Sequence, residues 1–392
     1  MENKELKNRL AKHVQKLPKS GIRDFFELVN QMDDVISLGI GEPDFVTPQN
    51  IRQAAIDSLN NGNTSYTSNL GMLSLREAVC KYVETNYGVS YCPVEETIIT
   101  VGVSEALDIA MRAILNPGDE AIYCEPCFVS YGPEISMAFG EPVKVECLEK
   151  DNFALDPEKL REKITDKTKL LLLNFPCNPT GATLNIKQMT EIAKIAVEHD
   201  LFVITDEIYS ELTYENRLPT IASLPGMKER TLFLHGFSKA YAMTGFRAGY
   251  ACGPAEIIDA MMKIHQYAMM CAPTIAQVAA EEALKNSWDE MLEMKAEYLK
   301  RRDFIVDSLN AMGLKCFRPE GAFYVFPNIT STGMTSMEFA SRLLKEYNVA
   351  VVPGTAFGQC GEGFIRCSYA TSMDRISQAM TKMAQFMAQF IK

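Results

Sequence analysis

The chain has 392 residues, a length that predicts two domains. Of these residues 47% are hydrophobic and 23% are charged, a balance typical of a globular protein. Its formal net charge of −11 makes the backbone of a nucleic acid an unfavourable partner. No apolar run is long enough to span a bilayer, and the N-terminal segment lacks the apolar core of a signal peptide, so we expect a cytoplasmic protein.

Apolar, β-branched segments alternate with helical patterns through the middle of the chain. Strands are predicted over 96–102, 120–124, 141–147, 169–175, 201–207, 231–237 and 247–253. Helices are predicted over 104–115 and 185–200. This alternation predicts an α/β fold with a mostly parallel sheet flanked by helices. The segment KLLLLNF is apolar throughout, which is typical of a central strand.

The pattern changes in the C-terminal part of the chain. One long helical stretch over 281–313 precedes short strands over 322–327 and 349–354 and a last helix. We therefore predict a large domain over residues 46–289. A smaller α+β domain is predicted from residues 1–45 and 290–392.

Eleven cysteines are scattered along the chain, and free thiols are expected in a protein of this size without a signal peptide. Cys124 and Cys127 form one CxxC pair. A zinc site would require a second pair or nearby histidines, and the four histidines lie far apart in the sequence. We therefore predict two buried or half-buried thiols rather than a metal or redox site.

Polar residues follow several of the predicted strands, where ligands bind in a parallel sheet. Gly102 and Ser104 begin a predicted helix. The N-terminus of a helix can bind an anion, but a glycine and an N-cap serine are also common at helix starts without a ligand. Asn178 lies in an NPTG turn and could serve that turn alone. Asp206 ends a buried strand, where a carboxylate requires a cation or a donor. Tyr209 would lie near it if a helical turn begins there.

The segment HGFSKAYAMTGFRAGY, residues 235–250, follows another apolar strand. Lys239, at the mouth of an apolar pocket, would have a lowered pKa and would be a nucleophilic amine suited to a Schiff base. Arg247 would offer its guanidinium group to a phosphate. An anion cradle, a buried aspartate and a nucleophilic lysine together indicate a pyridoxal phosphate site, in which the aspartate pairs with the ring nitrogen.

Further motifs stand in order along the chain: SLGIGEPDFVTP, SYTSNLGMLSLREAV, VGVSEAL, NFPCNPTG, DEIYSELTY and FIRCSYA. With the lysine segment they resemble class I aminotransferases of the pyridoxal-phosphate fold type I superfamily over nearly the whole chain. The resemblance is greatest to the prokaryotic branch with aromatic, aspartate, alanine and N-acetyl-diaminopimelate aminotransferases. It implies a ping-pong transfer of an amino group from an L-amino acid to a 2-oxo acid such as 2-oxoglutarate, by a homodimer.

The resemblance also implies a role for each matching residue. The catalytic residues would be Lys239, which bonds the cofactor and carries the proton, with Asp206 and Tyr209. The cofactor would be held by Val103, Ser104, Phe128, Asn178, Asp206, Tyr209, Ser238, Lys239, Arg247 and, from the neighbouring subunit, Tyr66. The substrate carboxylate would be bound by Gly41, Asn178 and Arg366. One departure concerns phosphate binding, because many relatives carry a serine where this chain has Gly236; Ser238 would compensate.

Four other functions compete with transamination. A C–S β-lyase of the cystathionine lyase type, or an enzyme like aminocyclopropane-carboxylate synthase, would use the same Lys239, Asp206 and Arg366. A cofactor-binding regulator would need an N-terminal DNA-binding domain, for which the first 25 or so residues leave no room. A nucleotide dehydrogenase is disfavoured because GIGEPD lacks a third glycine and a βαβ opening.

The amino-acid substrate follows less directly from the sequence. A dicarboxylate substrate requires a second cation, for which Arg23 is a candidate. Phe25 and Phe26 in the same segment could line an aromatic pocket, although core positions are the stronger expectation. The motifs favour an aromatic or broad-range amino acid, with aspartate, alanine and N-acetyl-diaminopimelate as alternatives.

Overall fold

The structure is a computed structural model that describes residues 9–15, 17, 32, 34–215 and 219–390. Its strands are β1 (Ile36–Ser37), β2 (Thr97–Thr100), β3 (Glu120–Glu125), β4 (Glu141–Glu146), β5 (Thr168–Leu173), β6 (Phe202–Asp206), β7 (Thr231–Gly236), β8 (Gly249–Cys252), β9 (Tyr324–Val325), β10 (Val349–Ala350), β11 (Val352–Pro353) and β12 (Ile365–Ser368). Its helices are α1 (Lys12–Gln15), α2 (Gln49–Asn60), α3 (Leu73–Tyr87), α4 (Gly102–Ile114), α5 (Tyr131–Met137), α6 (Pro157–Arg161), α7 (Ile186–Glu198), α8 (Ala255–Ala268), α9 (Thr274–Asn286), α10 (Trp288–Ala311), α11 (Ser336–Tyr347) and α12 (Met373–Met387).

The central sheet has the strand order β2-β8-β7-β6-β5-β3-β4. Only β8 runs against its neighbours, so the sheet is mostly parallel and the predicted α/β class is confirmed. The interior strand β5 shows why its sequence is apolar throughout. Leu170 and Leu172 pack into one core cluster with α4, whereas Leu171 and Leu173 pack into another with α7. Helices therefore cover both faces of the sheet.

The C-terminal elements form a second core around a short antiparallel sheet, β11-β12-β9, next to the parallel pair β1-β10. Apolar side chains of α10, α11 and α12 pack against these strands. The division into domains at residues 45/46 and 289/290 stays a prediction. None of the described helices combines the length and the hydropathy needed to cross a membrane.

The long helix predicted over 281–313 was wrong in one respect, because the structure has two helices there. α9 ends at Asn286 and α10 begins at Trp288. Asn50, on α2, donates hydrogen bonds to the Ser287 hydroxyl at 2.7 Å and to the Asn286 carbonyl at 3.3 Å. Asn50, from a distant part of the chain, thus satisfies polar groups at the junction of the two helices.

Candidate active site

A cavity of about 620 Å³ lies at the carboxyl ends of β5, β6 and β7, beside the start of α4 and the strand β12. The predicted site residues that line it are Gly41, Val103, Ser104, Phe128, Asn178, Asp206, Tyr209, Ser238, Lys239, Arg247 and Arg366. The structure therefore brings together side chains that are spread over more than 300 residues of sequence. This is the arrangement expected at the carboxyl edge of a parallel sheet.

Tyr66 is the one predicted site residue that does not line this cavity. Its side chain is 79% exposed on the surface of the subunit. A contact from a neighbouring subunit, as the sequence predicts, requires a homodimer and stays a prediction. Arg23, Phe25 and Phe26, the residues considered for substrate selection, lie outside the described residues.

Lys239 follows β7 and extends its amine into the cavity. Its Nζ donates a hydrogen bond to the Gly41 carbonyl at 2.7 Å. Burial lowers the pKa of Lys239 to about 8; Arg366 and Arg247 act in the same direction, and Glu42 opposes them. About a tenth of this amine is therefore unprotonated at pH 7, far more than for an ordinary lysine, which favours its use as a nucleophile or a general base.

Asp206 ends β6 as a buried carboxylate with two hydrogen bonds. It accepts one from the Tyr131 hydroxyl at 2.8 Å and one from the Ile208 N–H at 3.2 Å. Burial raises the pKa of Asp206 to about 6, against the effect of both hydrogen bonds. No arginine or lysine of the described ranges forms an ion pair with it, so a ligand with a positively charged nitrogen would compensate the buried charge.

Arg366, on β12, is a buried guanidinium group without a carboxylate partner in the described part of the chain. Nη1 donates to Asn178 Oδ1 at 3.0 Å and Nη2 to the Gly39 carbonyl at 2.6 Å. The guanidinium lies over the rings of Tyr324 and Phe357, 4.5 and 4.7 Å from their centroids. Its Nε has no hydrogen-bond partner, and burial lowers the pKa of the group. Such a group is suited to a bidentate bond with a carboxylate.

Two tyrosines connect the Arg366 side of the cavity with the Asp206 side. The hydroxyl groups of Tyr209 and Tyr324 lie 2.9 Å apart, and burial raises the pKa of Tyr209 well above its usual value. Both hydroxyls are therefore protonated; one donates to the other, and the hydrogen of the second stays free to donate to a ligand. Any side chain at position 41 would collide with the Tyr324 hydroxyl, which explains the glycine in GIGEPD.

The opposite end of the cavity is suited to an anion. α4 begins at Gly102, and the first N–H groups of a helix have no intrahelical acceptor. Gly102 has φ +74°, and a Cβ there would lie 2.8 Å from Arg247 Nη2, so the arginine lies directly against this turn. A Cβ at Gly236 would lie 3.0 Å from Val103 Cγ2 and 3.0 Å from the Ala248 carbonyl. The space of the family's serine is thus filled, whereas Ser238 lines the cavity.

Sequence reasoning missed several residues that orient the site. Tyr131 donates to Asp206, Asn174 donates to the Asp206 carbonyl at 2.9 Å, and Tyr324 bridges Tyr209 and Arg366. Tyr131 could have been found, because it lies three residues after Phe128 in EPCFVSY at the start of a helix. The others depend on long-range contacts.

The predicted free and buried thiols are confirmed. All eleven cysteines are free, and Cys124 and Cys127 are both buried. No group of histidine, cysteine and acidic residues within the described ranges could hold a metal ion.

The donor set of the cavity fits pyridoxal phosphate. A helix N-terminus with Arg247 suits its phosphate, the buried Asp206 suits its ring nitrogen, and Lys239 suits its aldehyde. Arg366 then remains for the carboxylate of an amino acid. The chemistry that these groups support is amino-group transfer or another reaction at the Cα of an amino acid.

Comparisons with known proteins agree with this site. The model of the family "Aminotransferase class I and II" matches residues 33–383. The putative aminotransferase YugH of Bacillus subtilis is 52% identical, over 96% of this chain and 98% of its own. An aspartate aminotransferase of Pyrococcus abyssi is 44% identical, over 94% and 96%. The solved aromatic aminotransferase of Pyrococcus horikoshii has a TM-score of 0.90 at 45% identity, over 94% and 99%. The chain therefore belongs to the class I and II aminotransferases and is a pyridoxal-phosphate-dependent enzyme.

Proposed function

We propose that this aminotransferase moves the amino group of an aromatic or broad-range L-amino acid to a 2-oxo acid such as 2-oxoglutarate, by a ping-pong mechanism in the cavity around Lys239. One observation carries the assignment of the substrate site. Arg366 is a buried guanidinium that no described carboxylate neutralises, and it shares the cavity with a lysine whose pKa is lowered to about 8. An α-carboxylate bound there would bring its Cα amine toward Lys239.

In this proposal Lys239, Asp206 and Arg366 each have a defined role. Pyridoxal phosphate, when bound, supplies a conjugated ring that takes up the electron pair left by removal of the Cα proton. Lys239 would bond the cofactor in the absence of substrate. Once the amino group of the substrate has replaced it there, the freed amine of Lys239 would move the proton at the substrate Cα, which its lowered pKa favours. Asp206 holds a negative charge opposite the ring nitrogen, and Arg366 binds the substrate carboxylate.

The remaining residues bind and orient the cofactor. Asn178 and Tyr209 would donate hydrogen bonds to the ring oxygen, and Phe128 would pack on the ring face. Val103, Ser104, Ser238 and Arg247 would bind the phosphate. Gly41 and Asn178 would assist Arg366 at the substrate carboxylate. Each of these residues lines the same cavity, which supports the set as a whole.

The charges in the cavity support the choice of amino acid. Of the described residues that line it, the cations are Lys239, Arg247 and Arg366, and each already has a task. None of these cations is left for a second, side-chain carboxylate, so an aspartate substrate would depend on Arg23, which lies outside the described residues, whereas an aromatic or broad-range substrate would not. Relatives named for aspartate and for aromatic amino acids are equally similar, so aspartate, alanine and N-acetyl-diaminopimelate remain the alternatives.

An exposed apolar surface supports a homodimer. Tyr66 and Tyr267 are 79% and 89% exposed, and Met269 and Met270 are about half exposed. Asn69 donates to the Met270 carbonyl at 2.8 Å and so ties the Tyr66 loop to this surface. We propose that a second copy covers it, and light scattering of the purified protein checks this. The cytoplasmic location stays a prediction.

The test is an absorbance titration of the cofactor-loaded protein with single L-amino acids and no acceptor. Tyrosine or phenylalanine should remove the absorbance of the loaded form, and 2-oxoglutarate should restore it. Aspartate as the only effective amino acid would overturn the substrate assignment. Pyruvate formed from cystathionine without any acceptor would instead indicate the C–S β-lyase.

A further inference from the structure

A buried acid–histidine pair supports the first turn of α4, and the proposed function does not use it. Glu105 Oε1 lies 2.6 Å from His265 Nδ1, where His265 is fully buried and the Glu105 side chain is 8% exposed. The other oxygen, Oε2, accepts a hydrogen bond from the Val101 N–H at 2.5 Å. Both oxygens of the carboxylate are therefore engaged, one by the residue that precedes α4 and one by a histidine of α8.

The location of this pair links it to the anion end of the cavity. Val103 and Ser104 line the cavity, whereas Glu105, the next residue, does not. An unrestrained carboxylate near a helix N-terminus would compete with a bound anion for its N–H groups. Because Glu105 is bonded to Val101 and His265, its charge stays on the buried side of α4. The N–H groups of Val103 and Ser104 are then left for a ligand.

The same turn is fixed from the side of the sheet by close packing. Gly102 has φ +74°, a conformation that a side chain disfavours. A Cβ at Gly249, on β8, would lie 2.6 Å from both Gly102 C and Val103 N. Strand β8 thus packs directly against the 102–103 peptide, and Glu105 binds the N–H of Val101 just before it.

His265 connects the pair to α8. It lies near the end of α8, and its carbonyl accepts hydrogen bonds from the N–H groups of Met269 and Met270 at 2.8 and 3.1 Å. The Met270 carbonyl accepts from Asn69, in the loop that carries Tyr66. The histidine therefore ties the first turn of α4 to α8 and, through α8, to the surface proposed for the second subunit.

We infer that Glu105 and His265 are positioning residues for the phosphate of the cofactor. They hold the opening turn of α4 in the conformation in which the N–H groups of Val103 and Ser104 bind the phosphate. The inference rests on the proposed role of this turn in phosphate binding. It predicts that the pair affects ligands with a phosphate and not ligands without one.

The test compares the affinities of the cofactor-free protein for pyridoxal phosphate and for pyridoxal, which lacks the phosphate, by absorbance titration. Glu105→Ala should weaken the binding of pyridoxal phosphate by roughly tenfold, the effect of about one charge-assisted hydrogen bond, and leave pyridoxal unchanged. Glu105→Gln should restore most of the loss, because its amide oxygen can accept from Val101 while its amide group donates to His265. Asp108→Asn, one turn later on α4, is the matched control and should change neither affinity.

A second variant tests the inference if Glu105→Ala fails to fold. His265→Phe retains a ring of similar size but no donor, and it should lower the preference for pyridoxal phosphate over pyridoxal several-fold. Equal losses for both ligands, or no loss for pyridoxal phosphate in either variant, would overturn the inference while the wild type still prefers the phosphorylated ligand. A wild type with no such preference would instead overturn the proposed phosphate site, and the inference with it.

Discussion

Replacing Asp206 by asparagine is expected to stabilise the cofactor-free protein at neutral pH. Asp206 is 6% exposed and has no lysine or arginine ion pair among the described residues. Burial raises its pKa from 3.8 to about 6. This difference corresponds to about 3 kcal/mol of unfavourable free energy for the charged carboxylate. Asparagine has nearly the same shape and can bond Tyr131 and Ile208, but it carries no charge.

The pH dependence follows from the sign of the shift. Between 3.8 and about 6 the folded protein holds a proton on Asp206 that the unfolded chain has released. The folded state binds more protons in this window, so the contribution of Asp206 to the free energy of unfolding falls as the pH rises through it. The free energy of unfolding of the variant should exceed that of the wild type by about 3 kcal/mol near pH 8 and by about 1 kcal/mol near pH 4.5, with a negligible difference near pH 3.

Urea unfolding of the two cofactor-free proteins, at equal protein concentration and at both higher pH values, measures this difference. The variant loaded with pyridoxal phosphate should lose at least about a hundredfold of its activity, because one partner of a buried ion pair is removed. The reasoning is refuted if the variant is no more stable than the wild type at the higher pH. Equal stabilisation at both pH values would also refute it.

Two other predictions concern the remaining charged groups. Arg366→Lys should lower kcat/KM about a hundredfold, because it loses the planar fork that bonds a carboxylate and stacks between Tyr324 and Phe357, while cofactor affinity should stay unchanged. A kcat/KM within about threefold of the wild type would contradict this. In the cofactor-free protein, burial disfavours the charged form of Lys239. The rate at which an amine-reactive reagent acylates Lys239 should therefore rise with pH around a midpoint of about 8. Peptide mass mapping measures this rate, and a midpoint near 10.5 would be contrary to the account.

The sequence predicts the site well where the chemistry lies at the ends of strands. Asp206 and Lys239 follow apolar runs that form neighbouring parallel strands, β6 and β7, so their proximity follows from the strand pattern. The role of Arg366 follows from the family resemblance only. Its strand, β12, belongs to another sheet, and no local sequence pattern predicts its contact with Asn178. The position of such a residue depends on how the two sheets pack.

The features that sequence reasoning missed are tertiary contacts. Tyr324 lies 115 residues after Tyr209, and its hydroxyl contact requires the short C-terminal sheet to pack against the turn after β6. The polar groups at the helix break bind Asn50, 237 residues away from Ser287. Propensity and periodicity describe segments, and they contain no information about such distant partners.

The central claim is that the amine of Lys239 carries out the transfer, and the Lys239→Ala variant tests it most directly. The measurement is the initial rate of 2-oxo acid formation from the best amino acid of the panel, with pyridoxal phosphate and 2-oxoglutarate in excess. Lys228→Ala, a change at a half-exposed lysine that pairs with Glu96, serves as the control. The account predicts a rate at least about a thousandfold below the control, with pyridoxal phosphate still bound at the phosphate end of the cavity. A Lys239→Ala rate within about tenfold of the control would contradict it.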